Sequence, residues 1–596
     1  MSTTSTLRKP ILVAVVIVIV VAASVGVYFA TQNKPPATTT ATQAATTTTA
    51  TTVAPLSGGT IVVEEPCCID SLDPAIAFTN QGGEAVQNIY QGLVTYKPNT
   101  TEIVPLLAQS YNVSSDGLTY TFQLRQNITF SNGDPFNAYV MWYSIYRAAI
   151  MAQPASYLVT VALNTTSVTA QMLNMLNTTN NIPPPSLMPV VTNSSNAITV
   201  TGPYTMQFHL MAPFAAFLGT LTQPQDFAVD PLVVSQHGGV VAGNPNTWMT
   251  VNALSTGPFM VTQYQPNTIL VLARNPTYWG GANGAQPTPR LDKVIVKSVP
   301  DALTRLEDLQ SNSSQLILLD LTLGQQIQGK PGIYVPNLGP LPSVHLIGLN
   351  NARFPFSNVQ IRQAVVHAIN YTALVQLFHG YGAEVVGPEP RGILGYASDL
   401  QPYSYNVTLS KQLLAQAGYP DGKGIPTVTA FAISDIPPST DVVSLIQADL
   451  AQIGINVQIK TVNSATALQA EASPATSSAY PDMTYDGYNW FPDPWPYANW
   501  WVGDLAYGAG NFAWYNNTQV VSLLHQADRT LDPTQRAALY EQVAHIVYND
   551  APYIWVAQLQ NAYPSGIPVV SDSVQGYSLN IGFWQSDFST LYLASG

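Results

Sequence analysis

Residues 291–320, LDKVIVKSVPDALTRLEDLQSNSSQLILLD, decide the fold class of this chain. They begin with a run of β-branched residues, continue with apolar residues at helical spacing, and end with a second apolar run. Residues 427–462 repeat this strand–helix–strand order. Two parallel strands need a crossover connection, which a helix usually supplies. The two segments therefore predict α/β layers built on parallel strands.

The N-terminal part of the chain predicts antiparallel structure. Residues 118–124, LTYTFQL, alternate apolar and polar side chains, which is typical of a half-buried strand. Asp116-Gly117 directly before them is a hairpin turn signal. We therefore expect α/β lobes with a β-hairpin elaboration near the N-terminus. A chain of 596 residues exceeds one compact core, so more than one domain is expected.

The N-terminal end predicts a tether. Residues 11–30, ILVAVVIVIVVAASVGVYFA, are long and apolar enough for a transmembrane helix, and Arg8 and Lys9 favour a cytoplasmic tail at 1–10. A cleaved signal segment is the alternative. Residues 31–57 are rich in Thr and predict a disordered stalk. We expect a single-pass protein of the cell membrane with its body on the extracellular face.

Composition excludes several classes of function. Charged residues make up 9% of the chain and the net charge is −13, so binding to nucleic acid is not expected. The motifs of zinc metalloproteases, α/β-hydrolases, P-loop enzymes and dinucleotide-binding enzymes are absent, and the seven histidines do not cluster. We therefore expect a protein that is not an enzyme, with no catalytic residue, metal or cofactor.

Two further features concern the exported body. The only cysteines, Cys67 and Cys68, are adjacent, and a disulfide between neighbours would be strained. Two thiols are expected, with a vicinal disulfide or a soft-metal site as alternatives. Ten N-x-S/T sequons permit surface glycosylation. They begin at Asn99, Asn112, Asn127, Asn164, Asn177, Asn193, Asn312, Asn370, Asn406 and Asn516.

Residues 489–501, NWFPDPWPYANWW, hold four of the ten tryptophans. Prolines at positions 492, 494 and 496 disfavour a long helix and a central strand, so the segment predicts a loop. Loops lie at surfaces, where four large rings cost free energy unless something covers them. The segment therefore marks a contact surface whose partner must be found.

Five segments in order resemble solute-binding protein family 5, the dipeptide and oligopeptide receptors of ABC importers. They are LAQSYNVSSDGLTYTFQLRQNITFSNGDPFNA, STGPFMVTQYQPNTILVLARNPTYW, VQIRQAVVHAINYTALV, SKQLLAQAGYPDGKGIP and IQADLAQIGINVQIK. The resemblance covers roughly residues 58–596. It implies a two-lobed α/β fold of the periplasmic-binding-protein type, whose hinged lobes close on a ligand.

The resemblance also implies where the lobes lie. The first lobe would span 58–302, with a β-rich subdomain at about 96–200. The second lobe would span 303–556, and residues 557–596 would return to the first lobe. The chain would cross between the lobes near these two boundaries.

The implied function is that of the extracellular substrate-binding subunit of an ABC importer, with permease subunits and their ATPases as partners. An oligopeptide is the default ligand of the family. An oligosaccharide is the alternative, because some members bind sugars and flat aromatic faces suit sugar rings. A surface-layer or adhesion protein is a further interpretation, suggested by the stalk, the sequons and the low charge.

The loop after the first strand carries the first group of candidate ligand-binding residues. Asp73-Pro74 matches a Leu-Asp-Pro pattern of the family. By that match, Phe78, Thr79 and Asn80 should face the cleft between the lobes.

The ring-rich segment carries the second group, and two registers against the family are open. In the first, Tyr488 takes the place of a family Trp, and the position whose acid pairs with a peptide's amino group falls near Trp490, without an acid. In the second, Trp490 takes the place of that Trp and Asp493 becomes the amine partner. Trp495 is the fourth candidate, and the last two tryptophans are expected to pack inside the second lobe.

Overall fold

The computed structural model of the protein describes residues 57–67, 69–280, 286–434, 436–504, 510–563, 566–580 and 585–594. The predicted membrane segment, nearly all of the stalk and Cys68 lie outside the described residues, so the expectations for them stay predictions. In the part of the chain that is described, no helix is both long and apolar enough to cross a membrane.

A seven-stranded sheet is the framework of the first lobe in the described chain. Its central strand, Thr60–Glu65, is parallel to Lys293–Ser298 on one side and to Leu316–Leu319 on the other. The helix Ala302–Gln310 joins these two neighbours, which confirms the predicted strand–helix–strand unit. In sheet order the strands are Ile333–Tyr334, Ile567–Ser571, Leu316–Leu319, Thr60–Glu65, Lys293–Ser298, Ile269–Arg274 and Phe259–Gln265.

A six-stranded sheet forms the second lobe within the same described ranges. Val428–Ile433 is parallel to Val457–Val462, and the helix Ser439–Ala451 connects them, as the sequence predicted. In sheet order the strands are Gly382–Ala383, Tyr553–Leu559, Ser343–Leu349, Met483–Asn489, Val428–Ile433 and Val457–Val462.

The β-rich subdomain holds an antiparallel four-stranded sheet. Its strands, in sheet order, are Ala108–Val113, Thr119–Leu124, Thr205–His209 and Ile198–Gly202. The predicted alternating strand is confirmed, since Tyr120, Phe122 and Leu124 are buried. The limit expected at about 200 is too early, because Thr205–His209 pairs with Thr119–Leu124 along its length.

Helices pack over these sheets, and many begin at an Asp or Asn whose side chain accepts a backbone N–H of the first turn, as at Asp301 and Asn406. Further helices of six or more described residues are Asn80–Ile89, Ala138–Met151, Pro231–Gln236, Leu321–Ile327, Val359–Ala368, Tyr371–Gln376, Val407–Gln416, Ser464–Glu471, Pro494–Trp501, Thr518–Arg529 and Pro533–Asp550. Shorter helices are Tyr157–Thr160, Ala170–Leu173, Met188–Val191 and Phe217–Thr220.

The lobe boundary predicted at residue 302 is wrong. Leu316–Leu319 and Ile333–Tyr334 still belong to the first sheet, and the chain enters the second sheet only at Ser343–Leu349. The local pattern at 291–320 could not show this, because both arms of that unit pair with an N-terminal strand more than 200 residues away.

The second crossing lies near its predicted place. Tyr553–Leu559 is in the second sheet and Ile567–Ser571 in the first. The two crossings are joined at Asn561, whose Oδ1 accepts the backbone N–H groups of Leu338 and Gly339, each at 2.8 Å. This contact holds the two crossing segments side by side.

Candidate functional site

A cavity of about 400 Å³, here called the interlobe cavity, lies between the two lobes. It is lined from the first lobe by residues 77–81, Gly83, Ala155, Leu158 and 223–225, and from the second lobe by Ile436, Ser464 and 487–491. Five of the seven sequence-predicted site residues are among them, namely Phe78, Thr79, Asn80, Tyr488 and Trp490. Asp493 and Trp495 do not line it.

The wall from the first lobe is a loop that polar contacts hold in place. The carboxylate of Asp70 accepts the backbone N–H of Phe78 at 2.9 Å and of Thr79 at 3.2 Å. The Thr79 hydroxyl donates to Asp70 at 2.7 Å and caps the helix Asn80–Ile89 by accepting from Gly82 N–H at 3.0 Å. Phe78 remains 49% exposed, so its ring is available at the mouth of the cavity.

A buried ion pair fixes the base of this loop. Asp73 and Arg147 are joined through both carboxylate oxygens, and their side chains are 0% and 1% exposed. Asp73 also accepts the backbone N–H of Ala75 at 3.0 Å. A pair this deeply buried must stay intact, because removing one partner leaves an uncompensated charge.

The wall from the second lobe is aromatic. Tyr488 stacks on Trp490 with ring centroids 6.4 Å apart, and Trp490 meets Trp500 edge-on at 5.3 Å. Tyr157 of the first lobe enters this cluster, stacking on Trp500 at 5.7 Å and meeting Trp490 edge-on at 6.4 Å. Burial raises the pKa of the Tyr157 hydroxyl. These rings therefore pack partly on each other and partly on the opposite lobe, and Tyr488 and Trp490 also face the cavity.

The prediction that residues 489–501 form a loop is wrong. The strand Met483–Asn489 runs into the segment, and the helix Pro494–Trp501 ends it. Asp493 caps this helix by accepting the backbone N–H of Trp495 at 2.8 Å. Pro494 and Pro496 lie in the first turn, where no intrahelical N–H donor is needed, so proline is compatible with the helix.

The structure does not support Asp493 as the partner of a ligand's amino group. Its carboxylate accepts from Nη1 of Arg536 at 2.7 Å and from Nη2 at 2.6 Å. The side chains of Asp493 and Arg536 are 17% and 6% exposed. Burial lowers the pKa of Arg536, but the adjacent Asp493 carboxylate outweighs this and the pKa is raised overall. The charge of Asp493 is thus already compensated, and this placement favours the first of the two registers.

The remaining tryptophans of the segment are buried by protein. Trp495 is 2% exposed and meets Phe214 of the first lobe edge-on at 5.2 Å, so the opposite lobe covers it. Trp501 is fully buried in the core of the second lobe, and Trp500 packs against that core. The expectation that the last two tryptophans pack inside the second lobe is confirmed, with Trp500 also reaching the first lobe.

The interlobe cavity has a mainly apolar lining that carries a few uncharged polar groups. None of the described residues that line it has a charged side chain. Amide groups come from both lobes, as at Gln81 and Asn489, and Gln225 is 3% exposed with no hydrogen-bond partner for its Oε1 within the described structure. Asp435, next to the lining residue Ile436, lies outside the described residues. The cavity suits a ligand with hydroxyl or amide groups and flat rings or apolar faces.

Two buried acids that the sequence did not predict lie near the cavity wall, Asp486 on the strand Met483–Asn489 and Glu471 at the end of the helix Ser464–Glu471. Burial, with the nearby Glu471, raises the pKa of Asp486 well above its usual value. Burial also raises the pKa of Glu471 to about 7, although the Thr484 hydroxyl donates to it at 2.9 Å. The aromatic residues near Asp486 along the strand, Tyr485 and Tyr488, were the available signal. Among the described residues, these two acids included, no group of three or more His, Cys, Asp or Glu side chains could hold a metal ion.

Comparison with known proteins identifies the family. The family model described as bacterial extracellular solute-binding proteins, family 5 Middle, matches residues 102–509. The chain belongs to this family. It is therefore the substrate-binding component of an ABC importer, and proteins of this family bind solutes rather than catalyse reactions.

Curated relatives and a solved structure agree with this assignment. The heme-binding protein A of Haemophilus influenzae is 30% identical over 508 residues, covering 82% of this chain and 84% of the relative. The glutathione-binding protein GsiB of Shigella flexneri is 26% identical, covering 86% and 90%. The periplasmic binding protein DppA of Helicobacter pylori, solved with the peptide STSA, is 26% identical with a TM-score of 0.71, covering 91% of this chain and 99% of that chain.

Proposed function

We propose that the protein captures a short, uncharged oligosaccharide between its lobes and delivers it to the permease of an ABC importer. The observation that carries this proposal is the interlobe cavity, which combines aromatic rings with amide groups and has no charged side chain among its described lining residues. Aromatic rings stack on sugar faces, and amides exchange hydrogen bonds with hydroxyl groups. A cavity of about 400 Å³ is within the usual size range of small-ligand sites.

A short peptide is the second candidate, favoured by the relatives. Their names include glutathione and a tetrapeptide as ligands. A peptide brings an ammonium and a carboxylate, and a charge in a closed cleft must be compensated. Asp493 cannot compensate the ammonium while it is paired with Arg536. We therefore place the oligosaccharide first.

The proposal also concerns the location of the protein. Residues 11–30 would anchor it in the cell membrane and residues 31–57 would hold the body away from the surface on the extracellular side. Nine of the ten sequon asparagines are exposed and Asn370 is half-buried, which supports surface glycosylation. Permease subunits and their ATPases would be the partners, as in other importers of this class.

Calorimetric titration of the full chain in detergent tests the ligand class. Gluco-oligosaccharides of increasing length and alanine peptides with free or acetylated amino groups are the two series. We expect binding of an oligosaccharide, and a smaller radius of gyration in solution scattering once ligand is bound, because the lobes close on it. Binding of free-amine peptides with no measurable affinity for any oligosaccharide would overturn the proposed ligand.

A further inference from the structure

A second cavity, here called the hinge cavity, measures about 970 Å³ and lies beside the two chain crossings. The crossing segment 334–340 forms one side of it, and residues between 572 and 579 form another. Arg391 and Pro492 of the second lobe also line it. Like the interlobe cavity, it therefore has walls from both lobes.

The two cavities meet at consecutive residues of the ring-rich segment. Phe491 lines the interlobe cavity, and Pro492 lines the hinge cavity. Phe491 is 0% exposed although its chain segment belongs to the second lobe, because its ring packs into the core of the first lobe. The backbone therefore passes from one cavity to the other at these two residues, and the Phe491 ring packs into the core of the first lobe beside them.

The fit around Phe491 is close. A Cβ atom added to Gly219 would lie 2.7 Å from the Phe491 ring and 3.6 Å from the hydroxyl of Tyr96. On another side, Trp495 stacks on Phe491 with centroids 6.3 Å apart and planes inclined by 26°. We call Phe491, Gly219 and Tyr96 the partition. Only a residue without a side chain at position 219 leaves room for the ring.

We infer that Phe491 determines the length of ligand that the protein accepts. Its ring ends the interlobe cavity and keeps the larger hinge cavity out of the binding site. Ligands that fit in about 400 Å³ are accepted, and longer ones meet the partition. Removing the ring joins the cavities and admits longer ligands. The inference rests on the proposed function for its binding readout, but its geometric part stands alone.

Three variants of the full chain test the inference. Phe491→Ala removes the ring, and Phe491→Leu shortens it while keeping an apolar side chain in case the alanine variant does not fold. Phe378→Leu is the matched control, since Phe378 is also 0% exposed but lies in the core of the second lobe away from both cavities. Each is titrated with gluco-oligosaccharides of two to six rings and with alanine peptides of two to six residues.

The wild type should lose affinity steeply beyond a short length. For the longer members of the series that binds, Phe491→Ala should raise the affinity about tenfold or more over the wild type. Phe491→Leu should raise it by a smaller factor. Phe378→Leu should keep the wild-type length profile. An unchanged length profile in both Phe491 variants overturns the inference while leaving the proposed function intact.

Crystal structures of the two Phe491 variants give a readout that needs no ligand. One continuous cavity in Phe491→Ala, or in Phe491→Leu if the first does not fold, supports the inference. Two separate cavities overturn it. If the wild type binds neither series, the proposed function fails, and these structures still decide whether Phe491 separates the cavities.

Discussion

Residues 487–491 and residues 493–501 are neighbours with similar composition, yet they contact different parts of the molecule. The first group lines the interlobe cavity. The second begins at the ion-paired Asp493 and continues as a helix, with Trp495 against the first lobe and Trp501 in the core of the second. Ring-rich composition thus indicates burial, but the covering partner can be a ligand, the opposite lobe or the residue's own core.

The largest effect is expected from breaking the ion pair of the second group. In Arg536→Ala the carboxylate of Asp493, which is 17% exposed, loses its partner. Removing one member of a buried pair costs about 3–5 kcal/mol, and we expect the free energy of unfolding to fall by about 3 kcal/mol. Chemical denaturation measures this. Arg529→Ala, on an exposed side chain, is the control and should change stability by less than about 0.5 kcal/mol. Equal effects of the two variants would contradict a structural role for Asp493.

The buried acid Glu471 lies close to the strand that leads into the first group, where its carboxyl accepts a hydrogen bond from Thr484. Burial raises the pKa of Glu471 to about 7, from 4.5. Between these values the folded chain keeps a proton that the unfolded chain has released, so this contribution to stability is complete below pH 4.5 and is lost as the pH rises through about 7. At roughly 1.4 kcal/mol per pKa unit, the loss amounts to up to about 3 kcal/mol.

Glu471→Gln should remove that dependence, because the amide keeps an acceptor for Thr484 and never ionises. Relative to the wild type, the variant should gain stability between pH 5 and pH 8, as measured by urea unfolding at both values. Glu541→Gln, on an exposed side chain, is the matched control and should follow the wild type at both. Parallel pH profiles for Glu471→Gln and the wild type would show that folding does not raise the pKa of Glu471.

Sequence patterns predicted local units well and long-range partners poorly. The unit at residues 427–462 was predictable because both strands and their helix are contiguous. The lobe boundary was not predictable, because it depends on the distant strand Thr60–Glu65, which pairs with both strands of the unit at 291–320. Likewise the proline pattern predicts a loop, whereas a cap at Asp493 lets a helix begin with prolines in its first turn. Its partner Arg536 is 43 residues away, beyond any local pattern.

The next effect separates ligand contact from protein contact within the ring-rich segment. Trp490→Ala removes a ring from the cavity wall, and we expect affinity to fall roughly ten- to hundredfold, since burying a large apolar side chain contributes about 1.5–3 kcal/mol. Trp495→Ala is the matched control, because Trp495 is buried by Phe214 rather than by ligand. It should lower stability while changing affinity by less than about threefold. Calorimetry on the folded variants measures both the affinity and the stability. A larger loss of affinity in Trp495→Ala than in Trp490→Ala would reverse the assignment of the two rings.

The smallest effect is expected for the affinity of Asp493→Asn, and it tests the two registers directly. Asparagine caps helices about as well as aspartate, so the start of the helix Pro494–Trp501 should persist. Arg536 loses its partner, so the stability falls. Asp493 does not line the cavity, so the affinity for ligand, measured well below the unfolding midpoint, should change by less than about threefold.

If Asp493 instead held a peptide's ammonium, the same variant would lose about thirtyfold or more in affinity, since a buried charge-assisted contact is worth about 2–5 kcal/mol. Acetylating the peptide would then abolish the difference between variant and wild type. That pair of results would restore the second register, in which Asp493 pairs with the ligand's amino group, and would require Asp493 to exchange Arg536 for the ligand when the lobes close.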